Sequence, residues 1–250
     1  MKTHYIAEYF KSPQHPIHVT LIGLGGTGSQ VLSALAKMHI SLQALNHPGL
    51  YVTAYDDDIV TEANIARQLY TLSDIGINKA VISIQRVNRF FNLGWQSVPE
   101  KFDNRVKEVG NIIITCVDTA KGRLEIDKVI HSERNSNFTT RPYYWLDYGN
   151  LQKTGQVVLG TVGEIKQPTD GIASLQSITE MFDLTLVNEE NQGPSCSLVE
   201  ALEKQDLFIN STLANLGANL LWNLFREGQI NFHGLFLNLK SLKVNPIPIK

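Results

Sequence analysis

The sequence predicts an α/β protein: a mostly parallel sheet with helices on both faces and an antiparallel extension at its C-terminal end. Three observations point there. Short apolar runs alternate with helix-period segments through about residue 150, the pattern of a parallel sheet covered on both sides. A glycine-rich turn joins the first apolar run to the first helical segment. After Gly149 the alternation stops, and strand-like runs follow one another at longer intervals.

In chain order, Ile17 to Leu24 (IHVTLIGL) is a nearly continuous apolar run with β-branched residues, as a strand buried on both faces requires. From Ser29 to about Leu45, the residues Val31, Leu32, Leu35, Met38, Leu42 and Leu45 recur at helical spacing. His47-Pro48-Gly49 ends that helix, and Leu50 to Tyr55 reads as a second strand leading into Asp56-Asp57-Asp58. A polar stretch precedes a helix from about Asn78 to Phe91. Asn111 to Val117 (NIIITCV) is the next buried strand and runs straight into Asp118. A helix over about Ala120 to His131 and a strand over Tyr144 to Tyr148 complete the alternating set. Beyond Gly149, Gly155 to Val162 and His233 to Val244 read as antiparallel strands. Between them come a helix near Ile172 to Phe182, a loop near Asn188 to Pro194, and helices from Ser197 and Ser211.

Composition removes several function classes. The chain is 43% hydrophobic with a formal net charge of -2. That is enough apolar content for a sizeable core, and no basic excess draws it to nucleic acid. No apolar run approaches the roughly 18 to 20 residues that span a bilayer, and MKTHYIAEYFKSPQHP lacks a signal peptide's apolar core. A cytoplasmic protein with no membrane partner is expected. Two cysteines, Cys116 and Cys196, supply neither a disulfide framework nor a four-cysteine zinc site, so zinc is not expected.

The segment Gly23-Leu24-Gly25-Gly26-Thr27-Gly28 lies between a strand and a helix. Glycine permits a tight turn and close approach of the backbone, while the helix N-terminus offers free N–H groups and a positive dipole to a phosphate. Asp56, ending the second strand, is placed to accept hydrogen bonds from ribose hydroxyls. Past it the chain reads DDDIVTEANIARQLY and then DIGINKA. Cationic and amide side chains just beyond the ribose position suit a triphosphate rather than a dehydrogenase's dinucleotide.

On these residues the sequence resembles the superfamily of ThiF, MoeB and the ubiquitin-activating enzymes, whose pattern is a GxGGxG loop, then D-x-D-x-V-x-x-S-N-L-x-R-Q, then a lysine. Asp56, Asp58, Val60, Asn64, Arg67 and Gln68 stand in register, with Ala63 and Ile65 at the serine and leucine positions and Lys79 following. Cys116-Val117-Asp118 with Arg123 resembles the family's strand-end aspartate and later arginine, and Gly149, Gly155 and Gln156 its later glycine-glutamine segment. Residues 194 to 225 look more narrowly like ThiF-family proteins of the bacterial PRTRC gene cluster.

The resemblance implies one ThiF-type adenylation domain over 1–250. Its Rossmann-like nucleotide-binding half covers 1–150, and a crossover loop, late helices and antiparallel extension cover 151–250. It implies ATP and Mg²⁺ as ligands, with Asp56 on the ribose, Asn64, Arg67 and Lys79 on the phosphates, and Asp118 organising the Mg²⁺. Gly23, Gly25, Gly26, Gly28, Asp58 and Gln68 complete the nucleotide-binding set, and Arg67 and Lys79 are its catalytic cations. Arg123 reads as a residue paired with a neighbouring acid rather than as a functional one. The implied activity is adenylation of the C-terminal carboxylate of a small ubiquitin-like β-grasp protein, with a conjugating-type protein as a further partner and a homodimer as an assembly. No arginine precedes Arg67, so the N-terminal arginine that relatives lend to a neighbouring subunit's nucleotide has no counterpart here beyond Lys2 or Lys11.

Cys196 stands just before Ser197-Leu198-Val199-Glu200, which fits a capping box, and a helix N-terminus favours a thiolate. It reads either as a nucleophile that takes the acyl group as a thioester or as a small buried hydrophobe. Cys116, inside its apolar run, reads as core. Two other functions stay open: a binding-only relative that grips a partner without turnover, and an NAD-dependent oxidoreductase.

Overall fold

The structure, a computed structural model, describes residues 1–65, 67–106, 108–132, 141–187, 200 and 205–250. Cys196, the predicted loop from Asn188 to Pro194 and the start of the predicted helix at Ser197 lie outside the described residues.

The chain opens with the short strand β1 (His4–Tyr5) and then enters the sheet at β2 (Ile17–Ile22), whose side chains are almost all buried. The helix α1 (Gly26–Ala44) carries it back to β3 (Leu50–Tyr55), parallel to β2. A second crossover through α2 (Lys79–Phe91) leads to β4 (Gln96–Val98), at the sheet's edge beside β3. The chain then returns to the other side of β2 for β5 (Ile112–Thr115), crosses through α3 (Ala120–His131) and adds β6 (Tyr144–Asn150), again parallel. From there pairing becomes antiparallel: β7 (Thr154–Thr161) lies on β6, and the hairpin of β9 (Phe232–Asn238) and β10 (Lys243–Pro248) continues the sheet. The order across the sheet is β10-β9-β7-β6-β5-β2-β3-β4. The α/β class and the antiparallel extension expected from the sequence are therefore present.

Alternation along each strand sorts the core into two layers, because successive side chains point to opposite faces. Ile112, Ile114, Leu146 and Leu159 face the larger cluster, under α1, α2 and the late helix α5 (Ile209–Glu227). Ile113, Trp145 and Val158 face the smaller one, under α3 and the one-turn helix α4 (Ile178–Met181). Between β2 and β5 the strand order reverses, and a doubly wound sheet opens its ligand crevice at the carboxyl ends there.

Several boundaries differ from the sequence reading for physical reasons. The first strand stops at Ile22 because Gly23 turns to φ 87°, and α1 begins at Gly26, before the expected Ser29. Only Ile178–Met181 of the helix expected over Ile172 to Phe182 forms. The Ile172 N–H donates to the Thr3 carbonyl and the Leu175 N–H to the Thr161 hydroxyl, which hold that stretch extended, and a Ser177–Glu180 capping box starts the short turn. His233 to Val244 is two strands, folded at a turn where Asn238 Oδ1 accepts from the Ser241 N–H and Leu242 adopts φ 54°. The small ribbon of β1 with β8 (Gln229–Ile230) escaped the sequence reading, since two-residue strands leave no periodic trace.

Candidate functional site

At the carboxyl ends of β2, β3, β5 and β6 lies a cleft of about 370 Å³. Its floor is the glycine loop. A Cβ on Gly23 would sit 2.8 Å from the Cys116 carbonyl oxygen, and φ 87° is a left-handed conformation that favours glycine. A Cβ on Gly26 would meet Asn210 Nδ2 at 2.4 Å, whereas one on Gly25 would meet nothing, so the loop is open to the cleft at Gly25. Gly28 lies behind this surface: its Cβ would strike the Gly23 carbonyl oxygen at 1.8 Å, so it serves the close packing of helix on loop rather than lining the cleft.

Asp56 fixes the loop from the β3 side. Its Oδ2 accepts from the Leu24 N–H at 2.5 Å and its Oδ1 from the Asp58 N–H at 2.9 Å. Burial raises its pKa above the ordinary carboxylate value; the Leu24 N–H, Lys79 and the Asp58 N–H oppose that rise. Tyr70 supports the loop from beneath, donating to the Leu24 carbonyl at 2.6 Å. Lys79, the first residue of α2, is buried, and its Nζ donates to Asp58 Oδ2 at 2.8 Å. The preceding Asn78 was not singled out from the sequence, although it caps α2 and donates from Nδ2 to the Asp56 and Asp58 carbonyls. Its place just before a helical run was the available signal.

Arg67 and Gln68 follow a 3-10 turn and reach the cleft from above. Arg67 Nη1 donates to Gln205 Oε1, while Arg67 Nε and Gln68 Oε1 are buried without a partner among the described residues. Both residues line the cleft. Burial lowers the Arg67 pKa and the charge of Asp118 works against it, which places both groups in one field. Asn64 is turned away: its Oδ1 accepts from the Thr61 N–H and hydroxyl, completing a capping box, and it does not line the cleft.

Asp118 is exposed on the cleft at the end of β5. Behind it Arg123 is buried against Asp147: Nε donates to both carboxylate oxygens, at 2.9 and 3.0 Å, Nη1 to the Thr119 carbonyl and Nη2 to the Tyr148 carbonyl. Arg123 thus ties the Asp118 turn to β6 and does not line the cleft itself. At the far end, Ile22, Val117, Ile126 and Phe102 make an apolar slot, with Tyr55 edge-on to Phe102. Lys101 and Glu125, 3.0 Å apart, close that end.

The cleft therefore gathers Gly23, Gly25, Gly26, Asp56, Asp58, Arg67, Gln68, Lys79 and Asp118, and leaves out Gly28 and Asn64. An apolar slot, a carboxylate at the ribose position, a glycine loop at a helix N-terminus and the cations Arg67 and Lys79 fit a nucleoside polyphosphate. Asp56, Asp57 and Asp58 each bring an oxygen within 4.8 Å of the others, but backbone N–H groups already engage Asp56 and Lys79 engages Asp58. The exposed carboxylate of Asp118 is the hard oxygen ligand that Mg²⁺ takes. Cys116 packs against the loop, and burial pushes its thiol well above the usual range, as its reading as core requires.

A family model described as the ThiF family matches residues 14–198. A comparison with curated proteins finds no match. Among solved structures, E. coli MccB aligns with a TM-score of 0.61 at 14% identity over 93% of this chain and 62% of its own. MccB with ATP gives 0.58 at 15%, over 93% and 63%. PaaA gives 0.59 at 14%, over 94% and 64%. At such identities the likeness is one of fold, and this chain spans less than two thirds of each.

Proposed function

Because this chain belongs to the ThiF family, we propose that it is an adenylating enzyme that binds ATP with Mg²⁺ over the glycine loop and joins AMP to a substrate carboxylate. The observation that carries the reading is the single cleft that gathers the glycine loop, Asp56, Arg67, Lys79 and Asp118 at the carboxyl ends of the parallel strands. MccB, a fold neighbour, has been crystallised with ATP.

The base occupies the slot beside Phe102, Asp56 accepts from the ribose, and the phosphates lie along the loop toward Arg67 and Lys79. A carboxylate oxygen of the substrate attacks the α-phosphorus, and the bond to the β-phosphate oxygen breaks, so that pyrophosphate leaves with its electron pair. The carboxylate is already ionised, so no protein base is needed; positioning and charge stabilisation do the work. Asp118 would hold Mg²⁺, which would supply countercharge to the phosphates. Arg67 and Lys79 stabilise the charge that gathers on the α-phosphate and on the departing pyrophosphate.

Within this proposal the substrate is the C-terminal carboxylate of a small ubiquitin-like β-grasp protein, and Cys196 then takes the acyl group as a thioester. Residues 194 to 225 support the narrower PRTRC assignment. Calorimetry with Mg-ATP and with NAD⁺ tests the core of the reading: ATP binds and NAD⁺ does not. Lys79→Ala weakens ATP binding by about tenfold or more, the loss of one charge-assisted contact. Wild-type affinity in that variant would place the phosphates elsewhere. Cys196→Ser is expected to keep adenylation and lose the thioester, read by a shift on non-reducing gels.

A further inference from the structure

Arg67 stands on a stretch of chain with little regular structure of its own. Among the described residues between β3 and α2, the only regular elements are the 3-10 turns Glu62–Asn64 and Leu72–Asp74. A side chain carried on such a stretch is placed only as well as the contacts that hold the stretch.

Three ties hold it just beyond Gln68. The Leu69 N–H donates to Ser29 Oγ on α1 at 3.4 Å. Tyr70 Oη, which donates to the Leu24 carbonyl of the glycine loop, also lies 3.1 Å from Ser83 Oγ on α2. The third tie is Arg86, farther along α2. Its Nη1 donates to the Leu69 carbonyl at 3.0 Å, and its Nη2 to both carboxylate oxygens of Asp74 and, at 3.4 Å, to the Thr71 hydroxyl. Asp74 is only 2% exposed, and its Oδ2 accepts in addition from the Thr71 N–H at 2.7 Å and from the Thr71 hydroxyl at 3.0 Å. One guanidinium thus grips the chain at Leu69, Thr71 and Asp74. Neither Arg86 nor Asp74 lines the cleft.

Arg86 shares α2 with Lys79, the helix's first residue. Seven residues are nearly two helical turns, so the two side chains leave the helix on the same face. The helix therefore carries one cation of the cleft directly and, two turns on, the arginine that fastens the chain bearing the other. We infer that Arg86, through its pair with Asp74, is a positioning residue that sets Arg67 at the distance from Lys79 that the phosphates of a nucleotide require. The planar fork of a guanidinium spans a carbonyl and a carboxylate at once, whereas a lysine ammonium would meet Asp74 only as a point charge. The inference rests on the adenylation reading and adds to it what holds the phosphate-binding cations in register.

The test titrates the whole chain with Mg-ATP and with adenosine by calorimetry. Arg86→Ala is expected to weaken ATP binding about tenfold and adenosine binding less than about twofold, because only the phosphates meet Arg67. Arg86→Lys, which keeps a charge beside Asp74, should recover little of the lost ATP affinity. In an Arg67→Ala chain, Arg86→Ala should cost ATP nothing further, since its effect passes through Arg67. Should Arg86→Ala fold poorly, Asp74→Asn combined with Arg86→Leu removes both charges, strands neither, and is expected to show the same selective loss. Unchanged ATP binding, equal losses for ATP and adenosine, full recovery in Arg86→Lys, or additive losses with Arg67→Ala each overturn the positioning role and leave the adenylation reading standing. Failure of the wild-type chain to bind ATP overturns both.

Discussion

Asp147 and Arg123 meet beneath the cleft with almost no exposure, and each of the three guanidinium nitrogens donates to a carboxylate or a backbone carbonyl. Replacing one partner strands a buried charge, so Asp147→Asn is expected to lower stability by about 3–5 kcal/mol, measurable by chemical denaturation. A loss below about 1 kcal/mol would mean that water already reaches the pair. The sequence reading allowed Arg123 an acidic neighbour, yet nothing in the spacing selected Asp147, 24 residues on. Only the parallel pairing of β5 with β6 brings Thr115 opposite Asp147 and completes the pocket. Asn64 shows the reverse. It stands in register with a phosphate-binding pattern, but its carboxamide is used locally to cap a turn, and no one-dimensional pattern distinguishes the two uses.

Among the elements, α5 is the one most sharply limited by its neighbour. A Cβ on Gly217 would lie 2.4 Å from the Tyr148 ring, so the helix approaches β6 closely because that residue has no side chain. Gly217→Ala is expected to destabilise by about 1–3 kcal/mol through overpacking, despite alanine's better helix propensity. Pairing it with Tyr148→Leu should restore part of the loss, as a double-mutant cycle would show. Long crossover helices and all-buried strands were legible because burial imposes a period on many residues. The helices α2 and α3 matched their expected limits within a residue. β4, β1 and β8 were not legible, since three or fewer residues carry no period. The position of Gln205 on the cleft was equally hidden, because α5 reaches the glycine loop only after 180 residues of intervening chain have folded beneath it.

The molecule as a whole stores neutral histidine. Burial lowers the pKa of His4, His18, His39, His47 and His233 below the ordinary 6.5, while only His131, hydrogen-bonded to Asp127, is raised. As pH falls, the unfolded chain takes up protons at these sites before the folded one does. Stability is therefore full above 6.5 and declines below it until the folded-state histidines titrate in turn. The midpoint of urea denaturation should drop between about pH 7.5 and pH 5.5. A flat profile would mean that the five sites titrate alike in both states. No helix of the described residues is long and apolar enough to cross a membrane.

The ribbon of β1 with β8 joins His4 to Ile230, and the Ile6 N–H donates to the Gly228 carbonyl. On a ribosome adding roughly 5–20 residues per second, the first ten residues thus wait on the order of ten seconds or longer for their strand partner to be made. Phe10 and Ile6 are both core residues, so their packing is completed late. The segment His4 to Phe10 cannot take its native place before Gly228 to Ile230 have been made.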